Sequence, residues 1–355
     1  MNTWGSKLKI SIFGESHGIG IGVVLDGIPS GLTLDMDFIS REMSRRAPGK
    51  DKLSTPRKEA DEVEILSGVV DGKTTGTPIC GIIRNTNTRS RDYTPNLLRP
   101  GHADFTGFQK YGATHDFRGG GHFSGRITAP LVFAGAIAKQ VLNNDGITVG
   151  AHIKSVHGVS ENSFLDCDLT SELLQSISSK AFPVICDEIG ARMQQEILNA
   201  ASEKNSVGGI IECAIQGIKP GVGSPFFSSV ESLISSMMFS IPAVKGIEFG
   251  RGFDLCQMTG IDANDPFETD GKNIYTTTNN NGGINGGITN GMPVVFSVGI
   301  KPTPSIAKEQ KTVDTDKMEN TTIEIKGRHD PCIVQRAAVV VECAAALAIL
   351  EAKLI

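Results

Sequence analysis

Residues 99–130 combine acid–base and anion-binding side chains in one short segment. The segment contains His102, His115 and His122, four cationic side chains and three consecutive glycines at 119–121. Histidine is the side chain whose unperturbed pKa suits proton transfer near neutral pH. Consecutive glycines let backbone N–H groups approach a ligand closely, and neighbouring cations favour an anion. The segment therefore predicts a ligand that carries phosphate or carboxylate groups and is handled by acid–base chemistry.

Three short motifs of similar character are spread along the chain. GESHG occupies residues 14–18, RPGHAD residues 99–104 and GRHDP residues 327–331. Each follows a predicted strand or enters a turn, where functional residues concentrate. A single histidine in a turn is more often structural than catalytic, by roughly three to one. Three such motifs in one chain favour a functional interpretation.

Basic residues are concentrated between positions 41 and 58. The cluster consists of Arg41, Arg45, Arg46, Lys50, Lys52, Arg57 and Lys58. Charge pattern alone slightly favours a solvated helix end followed by a loop. The functional alternative is a cationic flap over an anionic ligand. The stretch 49–62 has no apolar periodicity and is predicted to be a mobile loop.

Composition excludes several classes of protein. A net charge of −5 and only one Trp and three Tyr argue against nucleic-acid binding. The seven cysteines form no CxxC pair, so most are expected to be buried free thiols in a reducing compartment. The histidines lack metal-ligand spacing, and no metal is expected. With no signal peptide, and an apolar run at 337–350 interrupted by Glu342, we expect a soluble cytoplasmic protein without membrane contact.

The predicted elements indicate an α+β fold in a single domain over residues 1–355. Strands are predicted at 8–13, 21–25, 63–70, 78–84, 147–156, 207–215, 293–300 and 322–325. Helices are predicted after Asp35 or Asp37 and at 131–142, 173–179, 188–201, 230–239 and from 332 almost to the end. Residues 279–291 are too rich in glycine and asparagine for regular structure. Several adjacent strands look hairpin-linked, which favours antiparallel sheets.

Six motifs, taken in order and spacing, resemble those of chorismate synthases. Besides GESHG, RPGHAD followed by QKYG, and GRHDPC, they include SIPAVKG at 240–246, GGINGG at 282–287 and KPTPS at 301–305. The resemblance covers essentially the full chain. It implies a β-α-β sandwich, with helices packed between two antiparallel sheets, and a homotetrameric assembly.

The resemblance also implies an activity. Chorismate synthases convert 5-enolpyruvylshikimate 3-phosphate to chorismate by an anti-1,4-elimination of phosphate, the last common step toward aromatic amino acids. The reaction requires reduced FMN but has no net redox change. NADPH or an external flavin reductase could supply the reducing equivalents, and the lack of a dinucleotide fingerprint favours external supply.

Catalytic roles carry over at three positions. His17 matches the histidine proposed to protonate the departing phosphate, and His102 the one proposed to keep reduced flavin in its correct protonation state. Asp330 matches the aspartate proposed to relay a proton with flavin N5.

Binding roles carry over at further positions. Arg46, Lys52 and Arg126 match positions that face substrate or nucleotide, although Lys52 stands where the usual pattern has arginine. The positions implied to contact FMN are His122, Phe123, Ser124, Ala243, Gly286, Lys301, Pro302, Thr303, Pro304, Ser305 and Arg328.

The main departure from the family pattern lies at residues 119–128. This chain reads GGGHFSGRIT where GGGRSSARET is usual. His122 replaces an arginine, so a fixed positive charge becomes a titratable one. We expect activity to persist and flavin or substrate binding to depend more strongly on pH.

Two alternative functions stay open at this point. One is a non-catalytic flavin- or phosphate-binding protein, which would not need His17, His102 and Asp330 together. The other is a metal-dependent phosphate-ester hydrolase using the same residues. Activity that survives EDTA but requires reduced flavin would separate these alternatives.

Overall fold

The computed structural model describes residues 2–49, 53–54, 61–86, 96–325 and 329–355. Its α-helices, in chain order, are α1 Met36–Arg46, α2 Asp104–Tyr111, α3 Thr128–Asn144, α4 Ser171–Ser179, α5 Asp187–Ser202, α6 Val230–Met238, α7 Gly260–Ala263 and α8 Val334–Leu354. Short 3-10 helices occupy Gly112–Thr114, Arg118–Phe123, Gly125–Ile127, Phe164–Asp166 and Gly252–Gln257.

The strands form two five-stranded sheets and several hairpins. In chain order they are β1 Thr3–Trp4, β2 Lys9–Gly14, β3 Gly20–Asp26, β4 Val63–Ser67, β5 Val69–Val70, β6 Lys73–Thr74, β7 Ile79–Arg84, β8 Thr148–Val156, β9 Val159–Ser160, β10 Gly209–Gln216, β11 Val244–Phe249, β12 Phe267–Thr269, β13 Ile274–Thr276, β14 Ile284–Asn285, β15 Ile288–Thr289, β16 Val294–Ile300, β17 Glu309–Asp314 and β18 Glu319–Glu324. The first sheet has the order β1-β2-β3-β7-β4, and the second β11-β16-β10-β8-β9. The strand pairs in both sheets are antiparallel.

Helices α3 and α8 form the layer between the two sheets. Helix α3 packs on β3 and β7 of the first sheet and along α8, which packs on β8 and β10 of the second. A β-carbon at Gly135 would lie 2.2 Å from Cβ of Cys343, so a glycine is required where the two helices touch. The α+β class and the helices between two antiparallel sheets are confirmed. The single-domain assignment remains a prediction, which this shared helical layer supports.

Helix α8 shows why its sequence is apolar on every side. Its side chains from Val334 to Ala352 are buried almost without exception, because both faces of the helix pack against other elements. Among the described residues, no helix has the length and apolarity needed to cross a membrane.

Local signals predicted one helix start correctly, and the structure differs from the prediction at two other element ends. Asp35 caps α1, with its Oδ1 accepting from the Phe38 N–H at 2.8 Å. Helix α3 begins at Thr128, three residues before the predicted start at 131. The predicted strand 63–70 is interrupted at Gly68, whose φ of +82° ends β4 before β5.

Other predictions were wrong. The stretch 279–291 contains the short hairpin β14–β15, because its glycines adopt the positive φ angles of tight turns. Helix α2, strand β11 and strand β17 were not predicted. The seven cysteines are free, but only Cys213, Cys332 and Cys343 are buried and Cys256 is exposed. The predicted mobile loop at 49–62 lies mostly outside the described residues.

Candidate active site

A large cavity of about 1050 Å³ brings together residues from both ends of the chain. Among its lining residues are these sequence-predicted positions: His17, Arg46, His102, His122, Phe123, Ser124, Arg126, Ala243, Lys301, Thr303, Pro304, Ser305 and Asp330. Gly286, in the turn between β14 and β15, and the exposed Pro302 are not among the described lining residues. Lys52 and Arg328 lie outside the described residues.

Positive charge is concentrated in this cavity although the chain carries a net charge of −5. The described lining has the cations Arg46, Arg99, Arg126, Lys245, Lys301 and Arg336, against the acids Asp104, Asp116 and Asp330. A partly enclosed cavity with an excess of cations focuses a positive potential inside it. The cavity is therefore suited to an anionic ligand.

His17 lies in the loop between β2 and β3 and is held by its neighbour Ser16. The Ser16 Oγ lies 3.2 Å from Nδ1 of His17 and 3.1 Å from the Gly119 carbonyl oxygen. Because a carbonyl oxygen can only accept, the hydroxyl proton points to the carbonyl and Nδ1 is the donor to Oγ. Neutral His17 thus carries its proton on Nδ1, which leaves Nε2 as the basic atom.

The three glycines at 119–121 have a structural reason that the sequence did not reveal. All three have positive φ angles, and a β-carbon on Gly119 would lie 2.1 Å from Cε1 of His17. One on Gly121 would lie 1.9 Å from the Asp116 carbonyl oxygen. Gly119 is required because the loop passes directly over His17, and Gly121 because it passes over the Asp116 carbonyl. The close approach of this backbone to a ligand remains a prediction.

His102 is fixed by a contact at each ring nitrogen. Nδ1 lies 3.1 Å from the carbonyl oxygen of Pro100 and Nε2 lies 2.7 Å from Oγ of Ser305. The carbonyl must accept, so Nδ1 carries the proton and Nε2 accepts from Ser305. Burial, together with the positive charge of Arg99, lowers the pKa of His102 to about 4. The imidazole is therefore neutral near pH 7.

Lys301 joins two of the predicted motifs. Its Nζ donates to the Gly101 carbonyl at 2.8 Å, and its backbone N–H donates to the Ala243 carbonyl at 3.0 Å. Burial and the nearby Lys245 lower the pKa of Lys301. The residue links the end of β16 to the segment that carries His102.

Asp330 precedes α8 and forms an ion pair with Arg336 through Nη2 and Oδ2. Within the described part of the chain, the buried Nε of Arg336 has no hydrogen-bond partner. Arg336 therefore orients the Asp330 carboxylate and retains a donor atom.

His122, Phe123 and Ser124 occupy the loop that departs from the family pattern. His122 Nδ1 lies 2.8 Å from the Gly14 carbonyl oxygen and donates to it. The Phe123 ring packs against Tyr111 of α2, with ring centroids 6.2 Å apart. The Ser124 Oγ accepts from the Arg126 N–H at 3.4 Å. The loop is thus fixed to β2 and to α2.

The basic cluster at 41–58 divides into residues with different surroundings. Arg46 lines the cavity and pairs with Asp61, which also pairs with Arg126. Arg45 instead forms an ion pair with the fully buried Glu342 at 2.6 Å, and Arg41 is exposed. A cationic flap is therefore the wrong description of Arg45.

Three residues around the cavity were not singled out from the sequence. Ser16 lies within GESHG, where its position next to His17 was the available signal. Asp61 and Arg336 lie in stretches whose charge pattern resembles that of an ordinary surface. Their pairing with Arg46, Arg126 and Asp330 is visible only in three dimensions.

The fold and the cation-rich cavity define an α+β protein built to bind an anionic small molecule, and the comparisons with known proteins are specific. A crystal structure of a chorismate synthase matches with a TM-score of 0.77 and 30% sequence identity, covering 98% of this chain and 92% of that one. The chorismate synthase family model matches residues 8–354.

Relatives from different organisms are similar in sequence to this chain along nearly its whole length. The chorismate synthase of Dehalococcoides mccartyi is 46% identical over 345 residues, covering 96% of this chain and 93% of that protein. That of Sulfurimonas denitrificans is 46% identical over 354 residues, covering 99% and 95%. That of Methanothermobacter thermautotrophicus is 43% identical over 356 residues, covering 99% and 93%. The chain belongs to the chorismate synthase family, whose members are lyases.

Proposed function

We propose that the protein eliminates phosphate from 5-enolpyruvylshikimate 3-phosphate to give chorismate, with reduced FMN bound in the same cavity. The observation that carries this proposal is the convergence of His17, His102 and Asp330 with Arg46 and Arg126 on one cavity. A non-catalytic binding protein would need the cations but not three acid–base groups.

The volume of the cavity supports the binding of a flavin together with a second ligand. Its volume of about 1050 Å³ reaches the top of the range of about 300–1,000 Å³ for small-molecule sites. Ala243, Lys301 and residues 303–305 would hold the FMN, beside His102. Reduced FMN, when bound, would supply electron density for C–O cleavage and recover it, which leaves no net redox change.

Substrate binding would depend on the arginines. The substrate carries one phosphate and two carboxylates, and the guanidinium groups of Arg46 and Arg126 are permanently charged. Side-chain exposure of 4% for each means that little water screens them. They would therefore attract the anionic groups strongly and orient them.

His17 would donate a proton to the departing phosphate. A protonated phosphate is a better leaving group because less negative charge develops on it. The contact between Ser16 and Nδ1 fixes the ring, so Nε2 is the atom that would deliver the proton.

His102 and Asp330 would control protons near the flavin. His102 is neutral in the free protein, and an anion bound beside it would favour its protonated form. Asp330, oriented by Arg336, would relay a proton at flavin N5.

Assembly, compartment and reductant complete the proposal. We propose a homotetramer, which the exposed aromatic side chains of Phe226 and Phe227, at 86% and 93% exposure, support. Seven free thiols support a reducing compartment, for which we propose the cytoplasm. We propose external supply of reduced flavin, by a reductase or from NADPH.

An anaerobic assay tests the proposal. Purified protein is mixed with the substrate and either reduced or oxidised FMN, and phosphate and chorismate are both measured. We expect equimolar products with reduced FMN only, unchanged by EDTA. Phosphate release that EDTA abolishes, or no release with reduced FMN, would contradict the proposed function.

A further inference from the structure

Asp61 lies between Arg46 and Arg126, two of the arginines that line the cavity. Its Oδ2 accepts from Nε of Arg46 at 2.8 Å and also from Nη2 of that residue. Its Oδ1 accepts from Nη1 of Arg126. Arg46 comes from the end of α1 and Arg126 from the 3-10 helix before α3, so one carboxylate joins two separate elements.

All three side chains are removed from solvent. The side chain of Asp61 is 0% exposed, and those of Arg46 and Arg126 are 4% exposed. Two permanently charged guanidinium groups at this depth repel each other strongly, because little solvent screens them. Asp61 pairs with both arginines and offsets part of this repulsion.

The backbone at Asp61 adopts a conformation that few residue types tolerate. Its φ of +53° lies in the left-handed region, which non-glycine residues other than Asn and Asp rarely adopt. A residue held this way needs surrounding contacts that fix it. The two arginines supply such contacts, so the carboxylate position and the arginine positions determine each other. Arg126 has a further restraint, since its Nε donates to Oδ1 of Asn85 at 3.0 Å.

We propose that Asp61 is a positioning residue for the reaction: it holds Arg46 and Arg126 at one fixed separation, so that the pair presents a preformed site to the anionic groups of the substrate. This inference rests on the proposed function. It does not require Asp61 to touch substrate or flavin. Its consequence is that the affinity for substrate depends on where the Asp61 carboxylate lies as well as on the arginine charges.

The opposite role is also testable. If Asp61 merely occupied the place of a ligand anion, its removal would free both arginines and tighten substrate binding. The bridging geometry favours positioning, because both carboxylate oxygens are used and each engages a different arginine. When the Asp61 carboxylate is removed, positioning predicts weaker substrate binding, whereas occupation of the anion's place predicts tighter binding.

The experiment compares Asp61→Asn with a matched control, Asp71→Asn. Asparagine keeps the size of aspartate and tolerates a positive φ. Asp71 also has a positive φ, +49°, but is exposed in the turn between β5 and β6. Binding of 5-enolpyruvylshikimate 3-phosphate to protein loaded with oxidised FMN is measured by titration calorimetry, and turnover by phosphate release.

We expect the dissociation constant to rise at least tenfold in Asp61→Asn and to stay within twofold in Asp71→Asn. A merely structural role would lower the number of binding sites per chain but leave the dissociation constant of the folded fraction unchanged. An unchanged or tighter dissociation constant would overturn the inference. If wild-type protein neither binds nor converts the substrate, the proposed function fails and this inference fails with it.

A second variant decides the question if Asp61→Asn does not fold. Asp61→Glu keeps the charge but moves the carboxylate by one methylene group. We expect it to fold and to bind substrate at least fivefold more weakly than wild type. Wild-type affinity in Asp61→Glu would show that the position of the carboxylate does not matter, which contradicts the proposal.

Discussion

Arg45 and Arg46 are adjacent in the chain but belong to two different groups of buried charges. Arg45 joins Glu42, Lys139 and Glu342 in an interior network between α1, α3 and α8. Arg46 joins Arg126 and Asp61 at the cavity. The interior network has two cations and two carboxylates, whereas the described lining of the cavity has six cations and three carboxylates. A balanced group suits a structural role, and a group with surplus charge suits a ligand.

The protonation of the interior network reflects this balance. Burial alone would raise the pKa of Glu342, but Arg45 and Lys139 outweigh it and lower the pKa to about 2. Burial alone would lower the pKa values of Arg45 and Lys139, but the neighbouring carboxylates outweigh it and raise them. The opposite charges thus stabilise each other, so Arg45, Lys139 and Glu342 stay charged at neutral pH.

Of the substitutions considered, one that disrupts the interior network should have the largest effect. The quantity affected should be the stability of the fold. In Glu342→Gln, Arg45 and Lys139 lose their shared carboxylate, which accepts at 2.6 Å and 2.7 Å respectively. We expect the free energy of unfolding to fall by about 3–5 kcal/mol, and kcat/KM of the folded protein to change less than twofold. Chemical denaturation and the anaerobic assay measure the two quantities.

The control for this variant is Glu64→Gln on the surface. Glu64 pairs with Arg84 at 3.1 Å, but the two side chains are 54% and 56% exposed. We expect a loss of at most about 1 kcal/mol there. Equal losses in the two variants would mean that burial of the network does not determine its contribution.

Substitution of Arg126, which lines the cavity, should affect activity more than stability. In Arg126→Lys the charge is kept, but a lysine cannot reproduce the separate contacts to Asp61 and to Asn85. We expect kcat/KM to fall on the order of 100-fold, with a smaller loss of unfolding free energy than in Glu342→Gln. Arg41→Lys, at an exposed residue of the same basic cluster, should leave both quantities close to wild type. A larger effect on stability than on activity would mean that Arg126 has a structural role, like the charges of the interior network.

The two regions should also lose stability in different pH ranges. His102 has a pKa of about 4 in the folded protein, below the ordinary value of 6.5, so its contribution is complete above pH 6.5 and is lost as the pH falls toward 4. Glu342, with a pKa of about 2 against 4.5, loses its contribution only as the pH falls from 4.5 toward 2. In His102→Gln we expect the fall in unfolding free energy between pH 7 and 5 to be smaller than in wild type by roughly 2 kcal/mol. Denaturation at pH 7, 6 and 5 measures it, and parallel curves for the two proteins would contradict the assignment.

The sequence predicted those features of the fold and site that depend on residues close together in the chain. Asp35 as a cap and the apolar residues of α8 depend on neighbours within a few positions, and both predictions hold. The motifs around His17 and His102 were likewise visible as short strings. Helix α2 was missed because it is short and exposes Phe105 and Phe108, so it lacks an apolar stripe facing the core.

Contacts between distant segments could not be predicted in this way. Asp61 pairs with Arg126, 65 positions further along the chain, and nothing in its neighbourhood distinguishes it from a surface aspartate. The opposite surroundings of Arg45 and Arg46 depend on the direction in which α1 presents successive side chains to α3 and α8. The roles of the site residues themselves remain proposals that the experiments above address.

The smallest effect is expected at His122, where the family pattern has a fixed positive charge. Its Nδ1 donates to the Gly14 carbonyl at 2.8 Å, and an asparagine could still donate a hydrogen bond there. An arginine is permanently charged, whereas imidazole is the side chain whose charge ordinarily changes between pH 5 and 8. In His122→Asn we expect kcat/KM within about threefold of wild type at pH 8, and a weaker pH dependence of substrate and FMN affinity between pH 5.5 and 7.5. His157→Asn, at an exposed histidine paired with Glu196, is the matched control and should leave the pH dependence unchanged. If His122→Asn also leaves it unchanged, the surplus charge of the cavity comes from its arginines and lysines without a contribution from His122.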